Sequence, residues 1–151
     1  MILADVGVEH VSDEHQLAQA DRAALLGMYH QFLEEHGKLV QGTDVVKPRM
    51  YTLLDRDMHL VAARRMGNLI GFVTFSITET RSIALHVVYT LREHRVQGVA
   101  SALFGEIIRL HPGRRLVADV YGRNQPAIRL FAKHYFTFDH CRGWADAVRE
   151  L

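Results

Sequence analysis

Residues 85–103 read Leu85-His86-Val87-Val88-Tyr89-Thr90-Leu91-Arg92-Glu93-His94-Arg95-Val96-Gln97-Gly98-Val99-Ala100-Ser101-Ala102-Leu103, and this stretch decides the fold. Its first half continues an alternation. Ile83, Leu85, Val87 and Tyr89 fall on one face and Ala84, His86, Val88 and Thr90 on the other, the period of a strand. The period then changes. Val99, Leu103, Ile107 and Leu110, flanked by Phe104 and Ile108, make the apolar stripe of a helix from Gly98 to about His111, ended by His111-Pro112-Gly113. A basic loop, Arg92–Gln97, joins the two. A strand that turns directly into a helix start leaves backbone N–H groups unpaired at the positive end of the helix dipole, which suits a phosphate or pyrophosphate. Gly98, Ala100 and Ser101 are small enough for a ligand to approach the backbone. The plainer reading, in which Gly98 only eases a tight turn, needs no ligand.

Upstream, His59–Met66, Leu69–Thr78 and Ser82–Leu91 are short segments rich in Val, Ile, Phe and Thr, and Gly67-Asn68 between the first two is a hairpin signal. They predict a three-stranded antiparallel meander. Met1–Val11 predicts a first strand. A helix follows from Asp21, with Leu25, Tyr29, Phe32 and Leu33 at helical spacing and Gly37 as its stop. A second helix is expected from about Asp44 to Leu54, with Pro48 near its start. Downstream, Arg115–Tyr121 is a strand, and Asn124 caps a helix that has Pro126 in its first turn and buries Ile128, Phe131 and Tyr135. Phe136–Leu151 reads as one or two short strands broken at Gly143 and anchored by Trp144. The alternation of elements makes an α/β domain with a mixed sheet.

The chain has 151 residues with 48% hydrophobic and 23% charged, which predicts one globular domain over 1–151 with a core of its own. The formal net charge is +1, so no nucleic-acid footprint is expected. No apolar run is long enough for a membrane span, and Met1–His10 lacks the basic start of a signal peptide. A cytoplasmic location is the expectation, which a single cysteine, Cys141, also suits. Histidine is over-used, with ten in the chain. No His-Glu-x-x-His occurs, and His10/His15, His30/His36 and His134/His140 fit no common ligand spacing, so no metal is expected.

Arg95-Val96-Gln97-Gly98-Val99-Ala100 resembles the (Gln/Arg)-x-x-Gly-x-(Gly/Ala) signature of the GCN5-related N-acetyltransferases, in which these residues cradle the pyrophosphate of acetyl-CoA. A second block, Asn124-Gln125-Pro126-Ala127-Ile128-Arg129-Leu130-Phe131-Ala132-Lys133-His134-Tyr135-Phe136, is similar to the family's Asn-x-x-(Ala/Ser)-Ile-x-(Leu/Phe)-Tyr-x-x-x-Gly-Phe helix, which packs along the coenzyme arm. The resemblance implies the fold of that family: a twisted, mostly antiparallel mixed sheet of six to seven strands flanked by about four helices. It implies acetyl transfer to a primary amine by direct attack, with acetyl-CoA as co-substrate, a small-molecule acceptor, no metal, and the homodimers common in the family. Leu85-His86-Val87-Val88-Tyr89, the Asn-x-Pro-Ala-Ile opening and Gly143-Trp144 look like the diamine and polyamine branch. By the same resemblance, Val88, Tyr89, Thr90, Arg95, Val96, Gln97, Gly98, Val99, Ala100, Ser101, Asn124, Ala127 and Phe131 face the coenzyme. Asn124 either touches the pantetheine arm or caps its helix. His94, with Arg92 and Arg95, adds positive potential for the phosphates.

Four positions depart from the pattern. Phe131 stands where the family has a tyrosine that protonates the departing thiolate, and Tyr121, His134 and Tyr135 are the substitute donors at hand. The loss is bearable, because a thiol titrates near ~8.5 and general-acid help is worth roughly 10²–10⁴-fold. His86 matches the glutamate that deprotonates the amine, and an imidazole with a reference pKa near ~6.5 is a sensible base; the plainer reading is a histidine hydrogen-bonded within the sheet. Val96 and Tyr135 replace glycines. Glu34, Glu35 and His36 border the acceptor region of the family and would attract a cationic amine, or form a solvated helix face. Tyr29 and Tyr51 could line an acceptor pocket or pack in the core. Two rival functions stand beside this reading: a non-catalytic acyl-CoA-binding domain, motivated by the missing tyrosine, and a peptide- or protein-directed acetyltransferase, which needs an open groove.

Overall fold

The computed structural model describes residues 5–39, 54, 57–121, 124–141 and 144–150. Strand β1 (Val6–Val11) leads through a 3₁₀ turn to helix α1 (Gln19–Leu39). Strands β2 (Met58–Arg65), β3 (Asn68–Ile77) and β4 (Ile83–Thr90) form the expected meander. Helix α2 (Val99–Leu110), strand β5 (Leu116–Tyr121), helix α3 (Gln125–Lys133) and strands β6 (Thr137–Cys141) and β7 (Trp144–Arg149) complete the order. The sheet runs β1-β2-β3-β4-β5-β7-β6, and every neighbouring pair is antiparallel except β4 and β5. This is the predicted mixed, mostly antiparallel sheet, with seven strands and, among the described residues, three helices. The helix expected over 44–54 lies outside the described residues, apart from Leu54.

Both faces of the sheet are covered. On one, α2 and α3 bury Val99, Leu103, Phe104, Ile107 and Phe131 against Val61, Val73, Phe75, Ile83 and Leu116. On the other, α1 buries Leu25 and Met28 against Leu60, Phe72 and Tyr89. Residues 69–75 of β3 are therefore buried without a break, as a doubly covered strand must be. Removing each large aliphatic side chain from water in this way is worth about 1.5–3 kcal/mol.

The expected alternation of β4 fails at one residue. Thr74 pairs with Val87 and Phe75 with Leu85, so His86 is an extra residue, a β-bulge. Ile83 and Leu85 face the α2 side, whereas Val87 and Tyr89 face the α1 side. Buried Thr74 is satisfied there, its Oγ1 accepting the Val87 N–H at 3.1 Å. The bulge bends β4 away from β5. Their parallel pairing covers only Ile83↔Leu116 and Ala84↔Val117, while β5 continues to pair with β7 up to Tyr121↔Trp144.

Three smaller expectations shift. The hairpin turn is Met66-Gly67, one residue earlier than predicted, with both residues in the left-handed region (φ 53° and 81°). Helix α1 passes Gly37 and ends at Leu39. Tyr135, expected inside a helix core, is 81% exposed because it lies just past the end of α3 at φ 70°. It closes that helix: the Tyr135 N–H donates to Ala132 O and the Phe136 N–H to Phe131 O, both at 3.1 Å.

Candidate active site

Where β4 leaves β5 a cleft of about 510 Å³ opens, walled by β4, the loop after it, the first turn of α2, and α3. Of the residues expected to face a coenzyme, Val88, Tyr89, Thr90, Arg95, Val96, Gly98, Val99, Ala100, Ser101, Asn124 and Ala127 line it. Gln97 and Phe131 do not. Gln97 turns to the back of the loop, where its Oε1 accepts from Arg65 at 2.9 Å and its Nε2 donates to the Glu93 carbonyl at 3.0 Å. His94 shares the same Arg65 guanidinium at 2.8 Å, so the loop is held from behind by β2. Phe131 is packed into the core against Phe104 and Phe136 because nothing on its ring needs solvent.

The floor of the cleft is a run of unpaired amides. Gly98 caps α2 with φ 86°, and no side chain caps the helix. The first bond of α2 is Ala102 N–H to Gly98 O at 3.0 Å, so the N–H groups of Val99, Ala100 and Ser101 have no partner within the helix. Along β4 the amides alternate in direction. The Leu91 N–H donates to Ile70 O on β3 at 2.8 Å, so those of Val88 and Thr90 face the open, β5 side. Together they form a donor-lined channel that fits an anionic, extended ligand. Val96, at the outer corner of the loop, holds φ at 59° and is 97% exposed, the backbone state a glycine would adopt there.

Arg95 differs from its expected part. Its Nη2 meets both oxygens of Glu35 at 3.1 and 2.9 Å, its Nε donates to the Thr90 carbonyl at 2.8 Å, and its guanidinium lies 5.1 Å from the Tyr89 ring centre. Arg92 joins Glu35 at 3.2 Å. The Tyr89 hydroxyl donates to Gln31 at 2.9 Å, and burial raises its pKa. The carboxylate expected to draw a cationic acceptor is therefore neutralised by arginines, and Glu34 pairs with His30 at 2.8 Å. Tyr29 packs beside Phe32 at 6.3 Å. His36 and Tyr51 have no described side chains.

Asn124 caps α3, its Oδ1 accepting the Ala127 N–H at 3.2 Å, and still reaches the cleft wall. His134 lines the cleft with Nε2 3.3 Å from Ser101 Oγ, and burial, with Lys133 and Arg149, holds its pKa below the usual value. Of the other candidate donors, Tyr135 lies outside the lining, and the Tyr121 side chain lies outside the described residues. His86 stands at the bulge, two residues from Val88, with Nε2 2.8 Å from Ser76 Oγ. Burial lowers its pKa and the charge of Asp119 on β5 opposes the shift. The sequence reading missed Phe32, Pro126, Arg129, Leu130 and Lys133 on the walls. The i,i+4 spacing of Arg129 and Lys133 was the available signal.

Three histidines are gathered elsewhere. His10 Nε2 is 3.1 Å from His59 Nδ1, and His59 and His111 both pack on Phe75, at the C-terminal end of α2 and away from the cleft. Among the described residues no group of three or more His, Cys, Asp or Glu is placed to hold a metal ion, and no helix is long and apolar enough to cross a membrane.

YwnH of Bacillus subtilis (strain 168), which carries a provisional phosphinothricin acetyltransferase name, is 29% identical over 86 residues, covering 50% of this chain and 51% of that protein. The chain thus matches about half the length of this curated relative. The PaiA N-acetyltransferase from Thermoplasma acidophilum, solved in complex with coenzyme A, superposes with a TM-score of 0.76 at 13% identity, covering 96% of this chain and 99% of that one. The ribosomal-protein-alanine N-acetyltransferase from Brucella melitensis gives 0.70 at 21% identity over 95% of this chain and 99% of that one. At such identities the two structures show the fold alone. The model of the acetyltransferase (GNAT) family matches residues 22–136, the span that holds the meander, the amide-lined loop and α3, and the chain belongs to that family.

Proposed function

We propose that the chain is an acetyl-CoA-dependent N-acetyltransferase that acetylates a primary amine of a small molecule, polyamine-like or other, by direct attack. The observation that carries this is the run of free amides along the cleft: those at 99–101 lead into the outward N–H groups of Thr90 and Val88, two residues along β4 from His86, whose exposed side chain lies outside the cleft lining at the bulge. The coenzyme's pyrophosphate would rest on the α2 amides and its pantetheine arm along β4. The Val88 N–H is the donor closest in sequence to the bulge, and it would polarise the thioester carbonyl. His86, directly or through a water, takes the proton from the amine as its nitrogen bonds to the acetyl carbon. The carbon–sulfur bond then breaks. The thiolate needs little help in leaving, and His134, whose lowered pKa favours the neutral ring, can offer it a hydrogen bond but not a proton from within the cleft. The name carried by YwnH supports a small acceptor. With Glu35 held by two arginines, a polycation would have to find carboxylates other than this one.

Thiol release from acetyl-CoA, measured across a panel of amines, amino acids and peptides, tests the reading. Turnover with a small amine that falls roughly 10²–10⁴-fold in His86→Ala is expected. Turnover with peptides alone would move the acceptor to the protein-directed class. The burial of Phe131 favours one second reading, an acyl-CoA-binding domain without turnover, which predicts tight binding and no thiol release with any acceptor. A chain that binds no acyl-CoA in calorimetry would refute both.

A further inference from the structure

Two hydroxyls of β3 meet the two residues of the β4 bulge. Thr74 Oγ1 accepts the Val87 N–H at 3.1 Å, and Ser76 Oγ lies 2.8 Å from His86 Nε2. Both alternate along β3 with Phe75, which packs on the α2 side, so both hydroxyls face the α1 side. The backbone and the side chain of the bulge are thus fixed from one strand. Ser76 is the ring's hydrogen-bond partner among the described residues, and without it an exposed imidazole has no anchor there. Ser76 is half-buried and lies outside the lining of the cleft, so it can act on a ligand only through the ring.

We propose that Ser76 is a positioning residue for His86: its Oγ accepts the Nε2–H, which fixes the tautomer of the ring and leaves Nδ1 to take the proton of the amine; this rests on the acetyltransferase reading above. A neutral imidazole has one N–H and one lone pair. If Ser76 donated to Nε2, the ring proton would sit on Nδ1 and neither nitrogen would be open to another proton. The reverse arrangement keeps a base, and it also serves the charged state. As the amine nitrogen bonds to the acetyl carbon, its proton passes to Nδ1 and the ring becomes a cation. The Nε2–H bond to Ser76 then strengthens, because its donor is charged. The carbon–sulfur bond breaks with its electron pair going to sulfur, and the ring returns its proton to solvent. Among the described groups, the charge that acts on the ring is that of Asp119 on β5, which favours the cation against the effect of burial. Asp119 shares the α1 side with the ring, since Ala118 and Val120 on either side of it pack on the α2 side.

Nitrogen NMR of the isotope-labelled full chain, with the His86 signals identified by their loss in His86→Gln, tests the tautomer without an acceptor. The neutral ring is expected to carry its proton on Nε2. Steady-state kinetics with the best acceptor of the panel above tests the role. Ser76→Ala should lower kcat about tenfold, the worth of one hydrogen bond, with KM for acetyl-CoA within about twofold of the wild type. The acid limb of its pH profile should move to lower pH, because a hydrogen bond that favoured the cation is gone. Ser76→Thr keeps the hydroxyl and should restore both. A serine that only stabilised the sheet would leave the limb in place. A ring protonated on Nδ1, a Ser76→Ala chain with the wild-type kcat and acid limb, or a Ser76→Thr chain no better than Ser76→Ala would each overturn the assignment, while thiol release by the wild type keeps the acetyltransferase reading. Absence of thiol release with every acceptor would remove that reading, and the role of Ser76 with it.

Discussion

Val96 offers the cleanest perturbation. A β-branched residue at φ 59° brings its Cβ against the backbone, and the left-handed conformation costs an L-residue roughly 1–2 kcal/mol. At 97% exposure the side chain returns almost nothing through burial. Replacing it by glycine removes the strain and adds back the freedom of a glycine in the unfolded chain, about 0.4–1 kcal/mol. The difference leaves Val96→Gly more stable by about 1 kcal/mol, which for a chain of this length raises Tm by ~2–4 °C. Scanning calorimetry of the wild type, Val96→Gly and Val96→Ala checks this, with the alanine variant falling between because it keeps a Cβ but loses the branch. A glycine variant that melts at or below the wild-type temperature would refute the strain argument. The same measurement on Tyr135→Gly, at φ 70° and also exposed, is an independent repeat.

Gly71→Ala should destabilise by about 1–3 kcal/mol in urea unfolding, since its Cβ would lie 2.9 Å from the Tyr89 carbonyl oxygen and 3.2 Å from Val99 Cγ1. Glu35→Gln frees two guanidiniums beside the amide cradle; coenzyme A affinity by calorimetry should rise severalfold, while stability falls by no more than ~1 kcal/mol because the pair is about a third exposed. His59, His86, His111 and His134 all have pKa values lowered chiefly by burial, so the folded chain favours neutral rings. An unfolded chain takes up those protons near ~6.5, so the stability they supply is complete above that pH and is lost as pH falls through the lowered folded values. Urea midpoints should therefore decline between about pH 7 and 5, and His59→Phe, which cannot titrate, should flatten the decline.

Much of the fold was readable because period and punctuation agreed. The meander, the turn into α2 and the capped α3 are local events, each encoded within a dozen or so neighbouring residues. What escaped depended on distant partners. Nothing near Arg95 says that Glu35, sixty residues earlier, will claim its guanidinium. The burial of Phe131 follows from Phe104 and Phe136 closing around it, which no motif records. The alternation of β4 misled for a different reason: a bulge has no side-chain signature, and only the register against β3 reveals that His86 is supernumerary. The glycine replacements were visible as departures, but that Val96 and Tyr135 would keep a glycine's backbone conformation was not.

His86 is one residue more than β3 requires opposite it. Were it deleted, Val87 would follow Leu85 directly and regular alternation would keep Leu85 on the α2 side and Val87 and Tyr89 on the α1 side, while the pairing that stops at Ala84 and Val117 would be free to run on and seal the sheet. Admission of a ligand is in that sense a matter of chain length more than of chemistry. A single-codon deletion would close the gap between two strands while leaving every residue of the loop 91–98 in place. Mutational scans by substitution alone would never find it.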